Sequence, residues 1–111
     1  MTGDRMLYWE ADRVDVPSTS TPAMIAILRG GESITLTSKA GQGQSHYIGP
    51  NRQMTTTRSY QLEDDQSVTL TLPVSSGKRN YIEIWALAET AGADICIVKL
   101  YGEEPKTEIS S

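Results

Sequence analysis

Apolar and polar positions alternate with a period of two along much of this chain, the pattern of a pleated strand with one face buried. Val68, Leu70 and Leu72 share one face of such a strand, and Ser67, Thr69 and Thr71 share the other. Ile34 and Leu36 oppose Ser33, Thr35 and Thr37 in the same way. Along residues 80–89, Ile82, Ile84, Ala86 and Ala88 make a lean apolar face, with Tyr81, Glu83, Trp85 and Leu87 opposite. No apolar period of about 3.6 residues persists beyond two turns, so helices are not expected.

Turn chemistry cuts the pattern into eight short strands, expected at residues 6–10, 23–29, 32–38, 45–48, 53–61, 66–72, 80–89 and 94–101. Gly30-Gly31 reads as a hairpin-type breaker and Gly49-Pro50-Asn51 as a tight turn. Pro73 ends a ladder because it has no N–H to donate. In the last strand Cys96, Val98 and Leu100 share a face, yet Ile95 and Ile97 make the other face apolar too, so cover on both sides is expected. Eight short strands without helices predict an all-β fold: an antiparallel β-sandwich of jelly-roll-like kind. The expectation is one domain over residues 1–111, with the polar segment 1–5 and the tail 102–111 making partner contacts. The antibody pattern of paired cysteines around a tryptophan is missing.

The chain also echoes itself 34 residues apart. Ser33-Ile34-Thr35-Leu36-Thr37 returns as Ser67-Val68-Thr69-Leu70-Thr71, Leu28 matches Leu62, Gly43 matches Gly77, and Tyr47-Ile48 matches Tyr81-Ile82. Eight of 21 aligned positions are identical over residues 28–48 and 62–82. Two strand–loop–strand units would account for this, as would convergence of two amphipathic strands on Thr/Leu alternation. As units, they predict apolar faces meeting in one core, threonine faces turned outward, and the loops of residues 39–44 and 74–78 near one end of the sandwich.

Composition narrows the chemistry. At 111 residues the chain is long enough to bury a core without metal or disulfide staples. Its 12 Thr and 11 Ser suit half-buried sheet surfaces. A net charge of −4, with only Lys78 and Arg79 adjacent among the basic residues, argues against nucleic acid as a partner. The one cysteine, Cys96, excludes an internal disulfide and a multi-cysteine metal site, and is expected as a small buried hydrophobe. Residues 1–5 hold no apolar signal-peptide core, and no stretch approaches the roughly 18 apolar residues of a membrane helix. Synthesis in the cytoplasm without a signal peptide is the expectation, with no membrane partner.

Catalytic and metal-binding sets do not assemble. His46 is the only histidine, and its sequence neighbour Ser45 points to the opposite face of a strand, so a structural or surface role is expected. Glu63-Asp64-Asp65 lacks the alternation and glycine of a calcium loop and reads as a solvated turn. Gly41-Gln42-Gly43-Gln44 and Ser76-Gly77-Lys78-Arg79 lack the helix and the Gly-Lys-Ser/Thr ending of a phosphate loop. No catalytic residue, cofactor or metal is therefore expected. The side chains singled out for an interface or ligand contact are Tyr8 and Trp9, the Tyr81/Trp85 pair with Glu83 between them, and Gln42 and Gln44. Together they suggest a non-enzymatic structural subunit, such as a capsid decoration or tail accessory protein of a phage virion. Its partners would be other protein subunits, in a homo-oligomer or a larger assembly. The alternative is a carbohydrate- or ligand-binding module, with a glycan on the aromatic residues.

Overall fold

Eight strands form two four-stranded antiparallel sheets, in a computed structural model that describes residues 9–39, 41, 43–74 and 80–101. They are β1 (Trp9–Val16), β2 (Ala23–Arg29), β3 (Ser33–Lys39), β4 (His46–Gly49), β5 (Tyr60–Leu62), β6 (Ser67–Thr71), β7 (Tyr81–Ala88) and β8 (Ala93–Leu100). The first sheet has the order β1-β8-β3-β6 and the second β2-β7-β4-β5. Among the described residues there is no helix. The fold is thus the all-β sandwich that the alternation predicts. Its strand order is that of a jelly roll: β1 pairs with β8, β2 with β7, β3 with β6 and β4 with β5, as if one long hairpin had been rolled into two layers.

Two strands differ from expectation. β1 extends to Val16, whereas the sequence pattern suggested residues 6–10, of which 6–8 lie outside the described residues. Glu10 and Asp12 occupy inward positions, so its first half carries no apolar alternation; unbroken pairing with β8 makes it a strand. In place of a strand over residues 53–61, only Tyr60–Leu62 pairs with a neighbour. The threonine-rich stretch before it is wound into turns by Met54 N–H donating to Asn51 O (3.1 Å) and Arg58 N–H donating to Thr55 O (3.0 Å). Gly30-Gly31 turns the chain tightly, but β2 and β3 lie in different sheets, so it is a crossing between layers and not a hairpin.

The echo has a spatial meaning. β3 and β6 are direct antiparallel neighbours, with Ile34 opposite Leu70, Thr35 opposite Thr69 and Leu36 opposite Val68. β4 likewise lies beside β7. Only the echoed pentapeptides therefore sit strand against equivalent strand, since β4 meets residues 85–88, beyond the echoed Tyr81-Ile82, which pair with β2. Their apolar faces enter one core and their hydroxyls face outward, joined at 2.8 Å between Thr35 and Thr69 and 2.6 Å between Thr37 and Ser67. The expectation that the loops of residues 39–44 and 74–78 share one end falls largely outside the described residues; antiparallel pairing puts Lys39 at one end of the strand pair and Leu72 at the other. Lys39 and Gly41 bond Asp65 and Asp64, while Leu72 bonds Gly31 and Glu32 at the far end. Residues 75–79 lie outside the described residues.

The core is a single layer of Val16, Leu28, Ile34, Leu36, Ile48, Leu62, Ile84, Ala86, Ala88, Ile95 and Ile97, all nearly or fully buried between the sheets. Ile82, placed by its alternation with this group, is exposed instead. Cys96 also departs from expectation: it lies on the outer side of β8, half-buried, with an Arg13 guanidinium nitrogen 3.5 Å from its sulfur. Lys99 ties the layers together at one end. Its ammonium donates to the Ile27 carbonyl (2.8 Å) on β2 and meets the Glu32 carboxylate at 3.2 Å. Both side chains are mostly buried, so removing either would leave an uncompensated charge.

Outside the second sheet, Met54 packs on Gly49 so closely that a Cβ there would come within 2.6 Å of the Met54 Cβ and 2.8 Å of its sulfur. Gly49→Ala is expected to lower unfolding stability by about 1–3 kcal/mol through this overpacking, measured by urea denaturation. An unchanged midpoint would mean that the Met54 turn is free to move away.

Candidate functional site

Strand alternation sets Tyr81, Glu83 and Trp85 on the outer side of β7, as the sequence predicts for these three. The Trp85 indole N–H donates to the Glu83 carboxylate at 2.9 Å, which fixes the ring along its own strand and occupies its one polar group. Met24 on β2 stands across from Trp85, and Gly49 on β4 flanks it from the other side. Arg29 stands across from Tyr81 and Ile27 across from Glu83. The result is a mixed face with Met24 (47% exposed) and Tyr81 (58%) projecting beside the half-buried Trp85.

Trp9 does not join this platform. It lies on the outer side of β1 in the other sheet, opposite Leu100. There the cross-strand register builds rows: Trp9, Leu100, Ser33 and Thr71 form one, and Ala11, Val98, Thr35 and Thr69 the next. Trp9 (65%), Val98 (42%) and Leu100 (40%) are exposed there, beside the small hydroxyl residues that β3 and β6 contribute to the same rows. Among the described residues β8 is therefore covered on its inner side alone, where its two apolar faces predict cover on both. Gln44 sits apart in the loop between β3 and β4, where its amide oxygen accepts from the Thr90 hydroxyl at 2.7 Å. Tyr8 and Gln42 lie outside the described residues. Among the described residues the structure thus brings together Tyr81, Glu83 and Trp85, and leaves Trp9 and Gln44 apart from them.

The titratable groups that could suggest catalysis are engaged in holding the fold. His46 and Ser38 are fully buried. Nε2 of His46 lies 3.1 Å from the Ala93 carbonyl, which can only accept, so Nε2 carries the proton and Nδ1 accepts from the Ser38 hydroxyl at 2.8 Å. This serine–histidine pair was not visible from spacing, because its members are eight residues apart on strands of different sheets. It has no access to a substrate. Asp64 accepts from the Gly41 N–H (2.9 Å), and Asp65, at φ 65°, accepts from the Lys39 ammonium (2.9 Å). Among the described residues no group of three or more His, Cys, Asp or Glu is placed to hold a metal. A cleft of about 190 Å³ opens between the β1 and β2 edges, with Ile25, Ile27, Ile34 and Ile97 in its lining and Glu10, Asp12 and Lys99 among its polar groups.

No protein-family model and no curated protein sequence matches the chain. Two solved structures are similar to it in shape. One is IMPa from Pseudomonas aeruginosa, determined in complex with an O-glycopeptide: identity is 19% and TM-score 0.49, over 86% of this chain and 13% of that one. The chain thus spans a small part of that protein's length. The other comes from Bacillus endospore appendages, described as disulfide-linked pili: identity is 18% and TM-score 0.45, over 92% of this chain and 93% of that one. With identities below 20% and both TM-scores under 0.5, neither carries a residue-level correspondence.

Burial pushes His46 below its ordinary imidazole value, against the opposing pull of the Ala93 carbonyl and the Asp94 and Asp64 carboxylates. The unfolded chain takes up a proton near the ordinary value of about 6.5, so it binds that proton more readily than the folded chain. The contribution of neutral His46 to stability is full above about pH 6.5 and declines as the pH falls towards the lower folded value. The thermal midpoint is expected to fall on acidification from about pH 7.5 to 5.5, and His46→Gln to flatten that part of the profile. A native profile already flat in this range would contradict the assignment.

Proposed function

We propose that this protein is a non-enzymatic structural subunit that works through protein–protein contacts. The observation that carries the reading is that the outer faces of both sheets present large apolar side chains to solvent: Trp9, Val98 and Leu100 on one, Met24 and Tyr81 on the other. An antiparallel sandwich standing alone usually keeps its outer faces polar. Apolar groups on two opposite sides suit a subunit held between neighbours. The bond between Trp85 and Glu83 favours packing over sugar recognition, since it uses the indole N–H and one carboxylate oxygen that a hydroxyl-rich ligand would seek.

The particular assembly proposed is a phage virion, with the chain as a capsid decoration or tail accessory protein made in the cytoplasm. Small size, a high hydroxyl content and a single cysteine support this choice. A glycan-binding module is the competing reading, with Tyr81, Glu83 and Trp85 as its platform.

Light scattering across about 1 μM to 1 mM is expected to show a mass that rises above that of one chain. Trp9→Ser should weaken this association at least about tenfold while changing unfolding stability by less than about 0.5 kcal/mol, because the side chain is exposed. Trp85→Ala should weaken it too, with some loss of stability from the half-buried ring. A strict monomer that binds oligosaccharides through Trp85 would sink the structural reading in favour of the glycan one.

A further inference from the structure

The four outermost strands of the two sheets are not equally protected against pairing with another chain. β1 turns the charged Glu10 and Asp12 inward, and β2 carries a register shift between Met24 and Ala26 with the Lys99 ammonium on its Ile27 carbonyl. β5 is only three residues long. Inward charges, bulges and shortness are the devices by which sheet edges are made unfit for a partner strand. β6 has none of these devices. Ser67-Val68-Thr69-Leu70-Thr71 contains no charge and no proline, its register with β3 is unbroken, and among the described residues no strand lies on its other side.

The direction of its free backbone groups follows from the ladder. The Ser38 N–H donates to Gln66 O and the Leu72 N–H to Glu32 O, both in register with the β3·β6 pairing. Ladder bonds therefore run through the even-numbered residues of β6, and the N–H and C=O groups of Ser67, Thr69 and Thr71 point to the open edge. The inner side chains of β6 are also incompletely covered. Val68 and Leu70 are half-buried, whereas Ile34 and Leu36, with a strand on each side, are fully buried.

The echo indicates what would complete this edge. β6 already accepts on its inner side a strand whose sequence, Ser-Ile-Thr-Leu-Thr, differs from its own by one methylene at Ile34. The pairing is antiparallel and centred on the equivalent residues Thr35 and Thr69. We infer that β6 of a second copy adds to this edge about a two-fold axis at Thr69, with Thr69 opposite Thr69, Val68 opposite Leu70 and Ser67 opposite Thr71. The cross-strand side-chain pairs are then those of β3·β6 with valine in place of isoleucine. The three outward residues face their own kind, giving about six interchain hydrogen bonds. No like charges are opposed, although each chain carries a net −4. The two first sheets join into one of eight strands, through a self-complementary contact of the kind that closes a two-fold dimer. This inference rests on the assembly reading above and names one of its contacts.

The test combines mass and distance. Thr69→Pro removes an outward N–H while leaving the β3·β6 ladder bonds in place. It should raise the dimer dissociation constant at least about tenfold with the sheet circular dichroism retained. Thr69→Lys, which sets like charges across the axis without a backbone constraint, should do the same if the proline variant folds poorly. A nitroxide on Thr69→Cys in a Cys96→Ser background should show strong dipolar broadening. A label on Ala11→Cys should report a separation of about 34 Å, seven strand spacings across the joined sheet. A dimer untouched by both Thr69 variants, or without broadening at that position, overturns edge pairing and leaves association to the outer faces, where Trp9→Ser reports on it. A strict monomer at about 1 mM overturns the edge pairing outright.

Discussion

The whole structure depends on antiparallel pairing between the two halves of the chain. β1 through β4 find β8 through β5 in reverse order, and only β4 and β5 are both consecutive and paired. Every other connection between consecutive strands crosses from one sheet to the other. No strand can therefore bury its apolar face until the distant half of the chain has arrived, so the core and the pairing form together. The tight crossing at Gly30-Gly31 and the close packing of Met54 on Gly49 are local solutions to this rolled geometry.

Pairing of this kind leaves polar groups that the layers must enclose, and the interior satisfies them at its two ends. At one, His46 spends both ring nitrogens on Ser38 and Ala93. At the other, Lys99 joins the β2 carbonyl edge to the Glu32 carboxylate, while Glu32 also accepts from the Arg29 N–H at 2.8 Å. Buried polar groups persist where they find hydrogen-bond partners, and each of these side chains has at least two.

What remains free is the outside. Faces and edges there follow different physics: a face offers side-chain area, an edge offers backbone hydrogen bonds. The faces carry Trp9, Val98, Leu100, Met24 and Tyr81 in the open, and three of the four outermost strands are obstructed. The proposed function by contact would draw on both. The paired rows of β3 and β6 from Ser33/Thr71 to Thr37/Ser67 carry no charge, although the chain is acidic.

Strand existence was legible in the sequence wherever one face is buried, because alternation records burial directly: β2, β3, β4, β6, β7 and β8 lie within a residue or so of where Val68/Leu70, Ile34/Leu36 and their kin place them. The placement of Tyr81, Glu83 and Trp85 on one side followed from the same period of two. β1 escapes the alternation because its strand character comes from β8 and not from its own residues, and the threonine run before β5 forms turns because strand propensity finds no partner strand there. The sequence alone thus determined where most strands run and which side chains share a face, since a residue's parity along a strand is a local property. Only the tertiary structure decided which strands meet, that the echoed pentapeptides lie side by side and antiparallel, that Trp9 and Trp85 are on different faces, and that Ser38 reaches His46. Those are facts of long-range pairing, which no local pattern encodes.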